Sequence, residues 1–227
     1  MNFGKSEIKM QVFTWQKFER GSVIMKNKTE QLDELFQKWY SEQKKSDFKN
    51  HGHFSMDGLI KTDDEDCVVL FVLAEPHSEK DHMYNTNFWF RDIWEDYDAQ
   101  YNYKYDDPRD TKKNRCNITK YKNRIELCAK SLGVTEIPHG IAVMDMKKCG
   151  DGSNLSKNFY KYVDTFAEFI KNQIEIINPQ YIVACGAPVF NALQRIGLDE
   201  ETKSKIIKTW HLAAQKSNSE FTFNKLP

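Results

Sequence analysis

The run CVVLFVL, residues 67–73, is the feature that most constrains the fold. Val68, Val69, Leu70, Phe71, Val72 and Leu73 follow one another with no polar residue between them, so both faces of the segment need cover. Such a strand belongs at the centre of a parallel sheet, because a strand with one wet face alternates instead. Ala74, Glu75, Pro76 and His77 follow immediately. A carboxylate at the mouth of a buried strand is costly unless it is paired or put to use.

The rest of the chain supplies partners for that strand. Leu32, Leu35, Phe36, Trp39 and Tyr40 recur at helical spacing after Thr29, read as the N-cap of a helix over 30–45. Ile118, Tyr121, Ile125, Cys128 and Leu132 mark a second helix that stops at Gly133. Phe159, Val163, Phe166, Ile170, Ile174 and Ile177 line one long helix that Pro179 ends. GIAVMDM (140–146), QYIVACG (180–186) and SKIIKTWH (204–211) read as further strands, with a helix in APVFNALQRIG. Strands alternating with helices predict an α/β fold, a three-layer α/β/α sandwich around a four-stranded parallel sheet. Residues 81–116 form an aromatic-rich, charged insert without clear periodicity, with a short helix expected near 86–95.

At 227 residues the chain suits one domain over 1–227, with an N-terminal helical extension over about 1–60. No apolar run approaches the roughly 20 residues of a membrane span, and MNFGKSEIKMQ has no signal-peptide core, so a cytoplasmic protein is expected. The five cysteines form no CxxC pair, and His51, His53 and His77 lack a partner set, so neither a metal site nor an iron–sulfur cluster is expected. Thirty-three basic residues balance 33 acidic ones, which argues against non-specific coating of nucleic acid but not against a local basic face.

In open parallel sheets, ligands bind beyond the carboxyl ends of the strands. Those ends read Ala74-Glu75-Pro76-His77, Asp145-Met146-Lys147-Lys148, Gly186-Ala187-Pro188 and Trp210-His211. Two carboxylates and one or two imidazoles therefore converge on one rim. An ordered set of segments here is similar to the uracil-DNA glycosylase superfamily, its bacterial members in particular. They are FSMDGLI (54–60), VLFVLAEPH (69–77), IAVMDMKKCGDGSN (141–154), IKNQIEIINPQYIVACG (170–186) and KTWH (208–211). In that family an acidic or amide residue before the first proline serves catalysis, an asparagine reads the flipped base, and a histidine steadies the leaving base. Glu75, Asp145 and His211 occupy those positions.

The resemblance implies a DNA N-glycosylase that works as a monomer without cofactor or metal. Glu75 would stabilise the oxocarbenium-like sugar or orient a water, with Pro76 aiming the turn and Ala74 and His77 beside it. His211 would donate to the base O2. Phe88 stands among Tyr84, Trp89 and Trp94 as a candidate stacking platform. Lys147, Lys148, Gly152 and Ser153 would hold backbone phosphates, and Leu212 would be the wedge that fills the vacated stack. Two departures stand out: HLAAQKSN replaces the proline and serine that usually follow the histidine, and Asp145 replaces asparagine. An ionised aspartate offers only acceptors, which suits the N4 amino group of cytosine better than uracil O4. A cytosine modified at C5, as in some phage genomes, is the expected target, which would make the enzyme one of defence. A catalytically silent nucleic-acid-binding relative, a uracil-DNA glycosylase of base-excision repair and a hydrolase of small nucleosides are the competing expectations.

Overall fold

The computed structural model describes residues 26–49, 54–61, 66–75, 112–149 and 158–223. The expected helix near 86–95, most of the aromatic insert, and Pro76, His77, Phe88, Gly152 and Ser153 lie outside these residues.

Helix α1 (Lys28–Lys45) starts two residues earlier than the sequence suggests. Asn27, not Thr29, is the N-cap: its side chain accepts from the Glu30 N–H (2.9 Å), and the Glu30 carboxylate accepts from the Asn27 N–H (3.1 Å). This reciprocal pair satisfies donors that the first turn leaves unpaired. Strands β1 (Gly58–Leu59), β2 (Val69–Leu73), β3 (Ile141–Asp145), β4 (Tyr181–Cys185) and β5 (Ile206–Thr209) form one sheet in the order β1-β3-β2-β4-β5. Strands β3, β2, β4 and β5 run parallel, as expected. The sheet is nevertheless mixed and five-stranded, because β1 adds to the β3 edge antiparallel, pairing Gly58 with Val143. Two residues are too short a run for the sequence pattern to reveal.

Alternate strand residues feed two cores. Leu70, Val72, Ala142, Met144, Ile182 and Ala184 join α1, α3 (Phe159–Thr165), α4 (Ala167–Ile177) and α5 (Ala187–Arg195). Val69, Phe71, Val143, Val183 and Cys185 join α2 (Lys112–Ser131). Both faces of the sheet are thus covered, which is what the unbroken apolar run at β2 required. The expected long helix over 159–177 is two helices that meet at Phe166, whose φ of −112° leaves the helical range. Neither Pro nor Gly stands there to announce the break. Phe166 is buried against Trp39 (6.2 Å) and Tyr162 (4.6 Å between ring centroids).

Gly133, at φ +93°, closes α2 as expected, and a short helix α6 (Glu200–Ser204), capped by Asp199, precedes β5. Among the described residues no helix is long and apolar enough to cross a membrane. The first described helix after β2, α2, packs on one face of the sheet, and α5, which follows the neighbouring β4, packs on the other. That switch is where open α/β sheets bind ligands.

Candidate active site

The β2–β3 ladder pairs Leu73 with Asp145, and two further bonds, Met146 N–H to the Leu73 carbonyl (3.0 Å) and Lys147 N–H to the Ala74 carbonyl (2.9 Å), carry it past the strand ends. This extension sets Glu75 beside Lys147, whose Nζ donates to Glu75 Oε2 at 3.0 Å. The Lys147 side chain has no exposed surface and that of Glu75 only 7%. On the other flank, Gly186 N–H bonds to the Thr209 carbonyl (3.0 Å) and brings the end of β4 against the end of β5. Gly186 has φ +107°, and a Cβ there would lie 3.7 Å from that of His211. A glycine is the residue that accepts this backbone beside a histidine.

Asp57, one residue before β1, organises the floor of the site. Its Oδ2 accepts from the Asp145 backbone N–H (2.8 Å), and both its oxygens take Lys148 Nζ (2.6 and 2.7 Å). Gln173 on α4 donates to Oδ1 at 2.5 Å. Lys148 also lies over the rings of Trp39 (5.1 Å) and Phe36 (5.4 Å). Buried ions persist only when paired and hydrogen-bonded on most sides, and this set meets that requirement. The sequence reading gave Asp57 no role. An aspartate before glycine beside an apolar pair was its only signal, and that pattern usually marks a turn.

Asp145 is 3% exposed, and among the described residues its Oδ1 has no hydrogen-bond partner. Burial pushes its carboxyl well above the ordinary aspartate range. The negative charge of Asp57 adds to this, Lys148 opposes it, and Glu75 adds a smaller push. Asp57 and Glu75 are therefore both close enough to act on Asp145 electrostatically.

His211 follows β5 by two residues. The Ala213 N–H donates to its Nδ1 (3.2 Å), which leaves the proton of a neutral ring on Nε2. Nε2 lies 3.4 Å from Tyr121 Oη on α2, with the two rings edge to face. The residue keeps an exposed surface, but loss of water on its packed side, and then the charge of Arg124, hold the imidazole below its usual range. Arg124, one turn on from Tyr121, is buried and clamps the following loop. It donates to the carbonyls of Leu212, Ala214 (2.8 Å) and Lys216 (2.6 Å), and its guanidinium lies 4.2 Å from the Phe221 ring centre. The sequence reading missed Tyr121 and Arg124 as site residues because helical spacing made α2 look purely structural. An arginine next to the apolar stripe Tyr121, Ile125, Cys128 was the available signal.

Two expectations need correction. Lys147 and Lys148 do not present their charges on a solvated turn for phosphates: both side chains are wholly buried and end on Glu75 and Asp57. A buried carboxylate recruits the nearest ammonium: Glu75 takes Lys147 and Asp57 takes Lys148. Leu212 is no protruding wedge; it is fully buried in the α2 core. The exposed apolar side chain of this loop is instead Trp210, half exposed with Lys216 Nζ 4.1 Å from its ring centre. Ala74 is half-buried at the rim. Among the described residues no group of three His, Cys, Asp or Glu side chains is arranged to hold a metal. No family model, curated protein or solved structure matches the chain.

Proposed function

We propose that the chain is a DNA N-glycosylase that flips a base from the duplex and removes it by hydrolysis, leaving an abasic site. The observation behind this reading is that Glu75, Asp145 and His211, in that chain order, stand at the carboxyl ends of β2, β3 and β5 on one edge of the sheet. The four parallel strands and covered faces also suit the uracil-DNA glycosylase-like fold that the sequence resemblance implies. The C1′–N1 bond breaks and its electron pair leaves with the base. Glu75, held by Lys147, stabilises the positive sugar and orients the attacking water, whose oxygen bonds to C1′. His211 donates from Nε2 to the charge that develops on base O2, as its neutral tautomer allows. One proton of the water passes to Glu75 and then to the departing base.

The target we favour is a C5-modified cytosine, whose N4 amino group finds an acceptor in Asp145. Uracil is the alternative. A silent nucleic-acid-binding relative is favoured by one observation, the buried ion pair that ties Glu75 to Lys147. We further infer a cytoplasmic monomer that needs no cofactor. Oligonucleotides carrying uracil, cytosine, hydroxymethylcytosine or glucosylated hydroxymethylcytosine, scored for strand scission at abasic sites, test the reading. Release of a modified cytosine is the expected result, and no release from any of them would leave the silent relative.

A further inference from the structure

At the ends of β1, β2 and β3, three enclosed carboxyl groups face two enclosed ammonium groups. Lys148 is chelated by both oxygens of Asp57, and Lys147 bonds to Glu75. Asp145 is the third carboxyl, nearly without exposure and with Oδ1 unpartnered among the described residues. A lone ionised carboxylate in such a place is strongly disfavoured, and an unpartnered buried polar atom calls for a missing partner. We propose that Asp145 meets its ligand as a neutral carboxylic acid, a hydroxyl donor beside a carbonyl acceptor. The ligand is then a flat ring edge with a complementary donor and acceptor side by side. Asp57 is the positioning residue: it fixes the Asp145 backbone and sets a negative charge against its side chain. This rests on the glycosylase reading for the identity of the ring, but not for the state of the acid.

Cytosine then makes two parallel bonds, N4–H to the carbonyl and the acid O–H to N3. An ionised carboxylate would set its second oxygen against the N3 lone pair. With its proton on the other oxygen, the same acid would meet uracil O4 and N3–H. The groups that bear on Asp145 are Asp57 before β1, Glu75 after β2, Lys148 on its own loop, Tyr121 on α2 and Cys185 on β4. Burial pushes Tyr121 and Cys185 upward, which disfavours the ionised form of each. Asp145 therefore loses its proton as pH rises, and ligand affinity falls with it.

The test is a pH titration of the carboxylic-acid carbonyl band by infrared difference between the natural protein and Asp145→Asn. Calorimetry with free cytosine, 5-hydroxymethylcytosine and uracil at pH values on either side of the transition runs beside it. Affinity should fall at least about tenfold on the alkaline side for any base that binds, and the Asn variant should lose this dependence. Asp57→Asn should move the midpoint to lower pH; if it fails to fold with Lys148 unpaired, Asp57→Asn with Lys148→Met should move it the same way by less. An ionised Asp145 at the pH of best binding, pH-independent affinity, or binding of no base overturns the proposal. Base binding with the expected pH dependence but no release from oligonucleotides supports it and sinks the glycosylase reading. Base release with an ionised Asp145 does the reverse.

Discussion

Asp145 ties stability to pH in a direction that follows from its surroundings. Its carboxyl is raised in the folded protein, so the native state binds its proton more tightly than the unfolded chain does. That contribution is complete below the unfolded value of about 4 and is lost as pH climbs through the folded value. Asp145→Asn should thus gain stability relative to the natural protein as pH rises above about 4, read as a widening gap in urea midpoints. Parallel curves at all pH values would show an acid with no raised pKa. Glu75→Gln should lose on the order of 10²–10³ in base-release rate, since a missing transition-state charge contact costs a few kcal/mol. It should also lower the unfolding midpoint, since it takes a counter-charge from buried Lys147. Near-normal turnover would remove Glu75 from the mechanism. His211→Ala should lose less, and most for bases that leave poorly, because those need the Nε2 donor most; equal losses across leaving groups would mark a structural role. Of these residues, the places of Glu75, Asp145 and His211 at or just past the strand ends were legible in the sequence, because the apolar residues before each mark the strand. Asp57 was not, because its meaning lies in contacts to residues roughly ninety and more positions away.

Helix α2 is the element that joins core to site. Its buried face includes Ile125, Cys128 and Ala129, while Arg124 fans across the loop after β5 and Tyr121 meets His211. Arg124→Lys should destabilise the protein by about 2–4 kcal/mol despite keeping the charge, because one ammonium cannot reach three carbonyls as a planar fork does. Hydrogen exchange should report faster opening at Ala214 and Lys216; unchanged protection there would show that the loop holds itself. Helix α1 reads in the sequence as an amphipathic extension, and its buried Leu32, Leu35, Phe36 and Trp39 follow that spacing. What the spacing leaves unsaid is that Trp39 stacks on Phe169 of α4 and borders Lys148, so that the helix walls the charged floor. The break at Phe166 was equally hidden, because an aromatic cluster sets it and no residue type marks it.

Across the whole molecule, the Asp57–Lys148 pair links β1, the loop after β3, and α4 through Gln173. Asp57→Ala and Lys148→Met alone should each cost about 3–5 kcal/mol, while the double change should cost far less than their sum, because each single change strands a buried charge. Additive losses in a double-mutant cycle would mean that the pair is not a unit. The sequence by itself determined the parallel core of the sheet and the cover on both its faces, since an apolar run with no polar side cannot remain in water. It also determined which polar residues end the strands, because chain order and strand length fix that much. Only the tertiary structure decided the fifth strand, the inward turn of Lys147 and Lys148, the burial of Leu212 and the isolation of Asp145. Those outcomes depend on which charges and apolar faces distant segments bring together, and Coulomb pairing and desolvation act through space without regard to position in the chain.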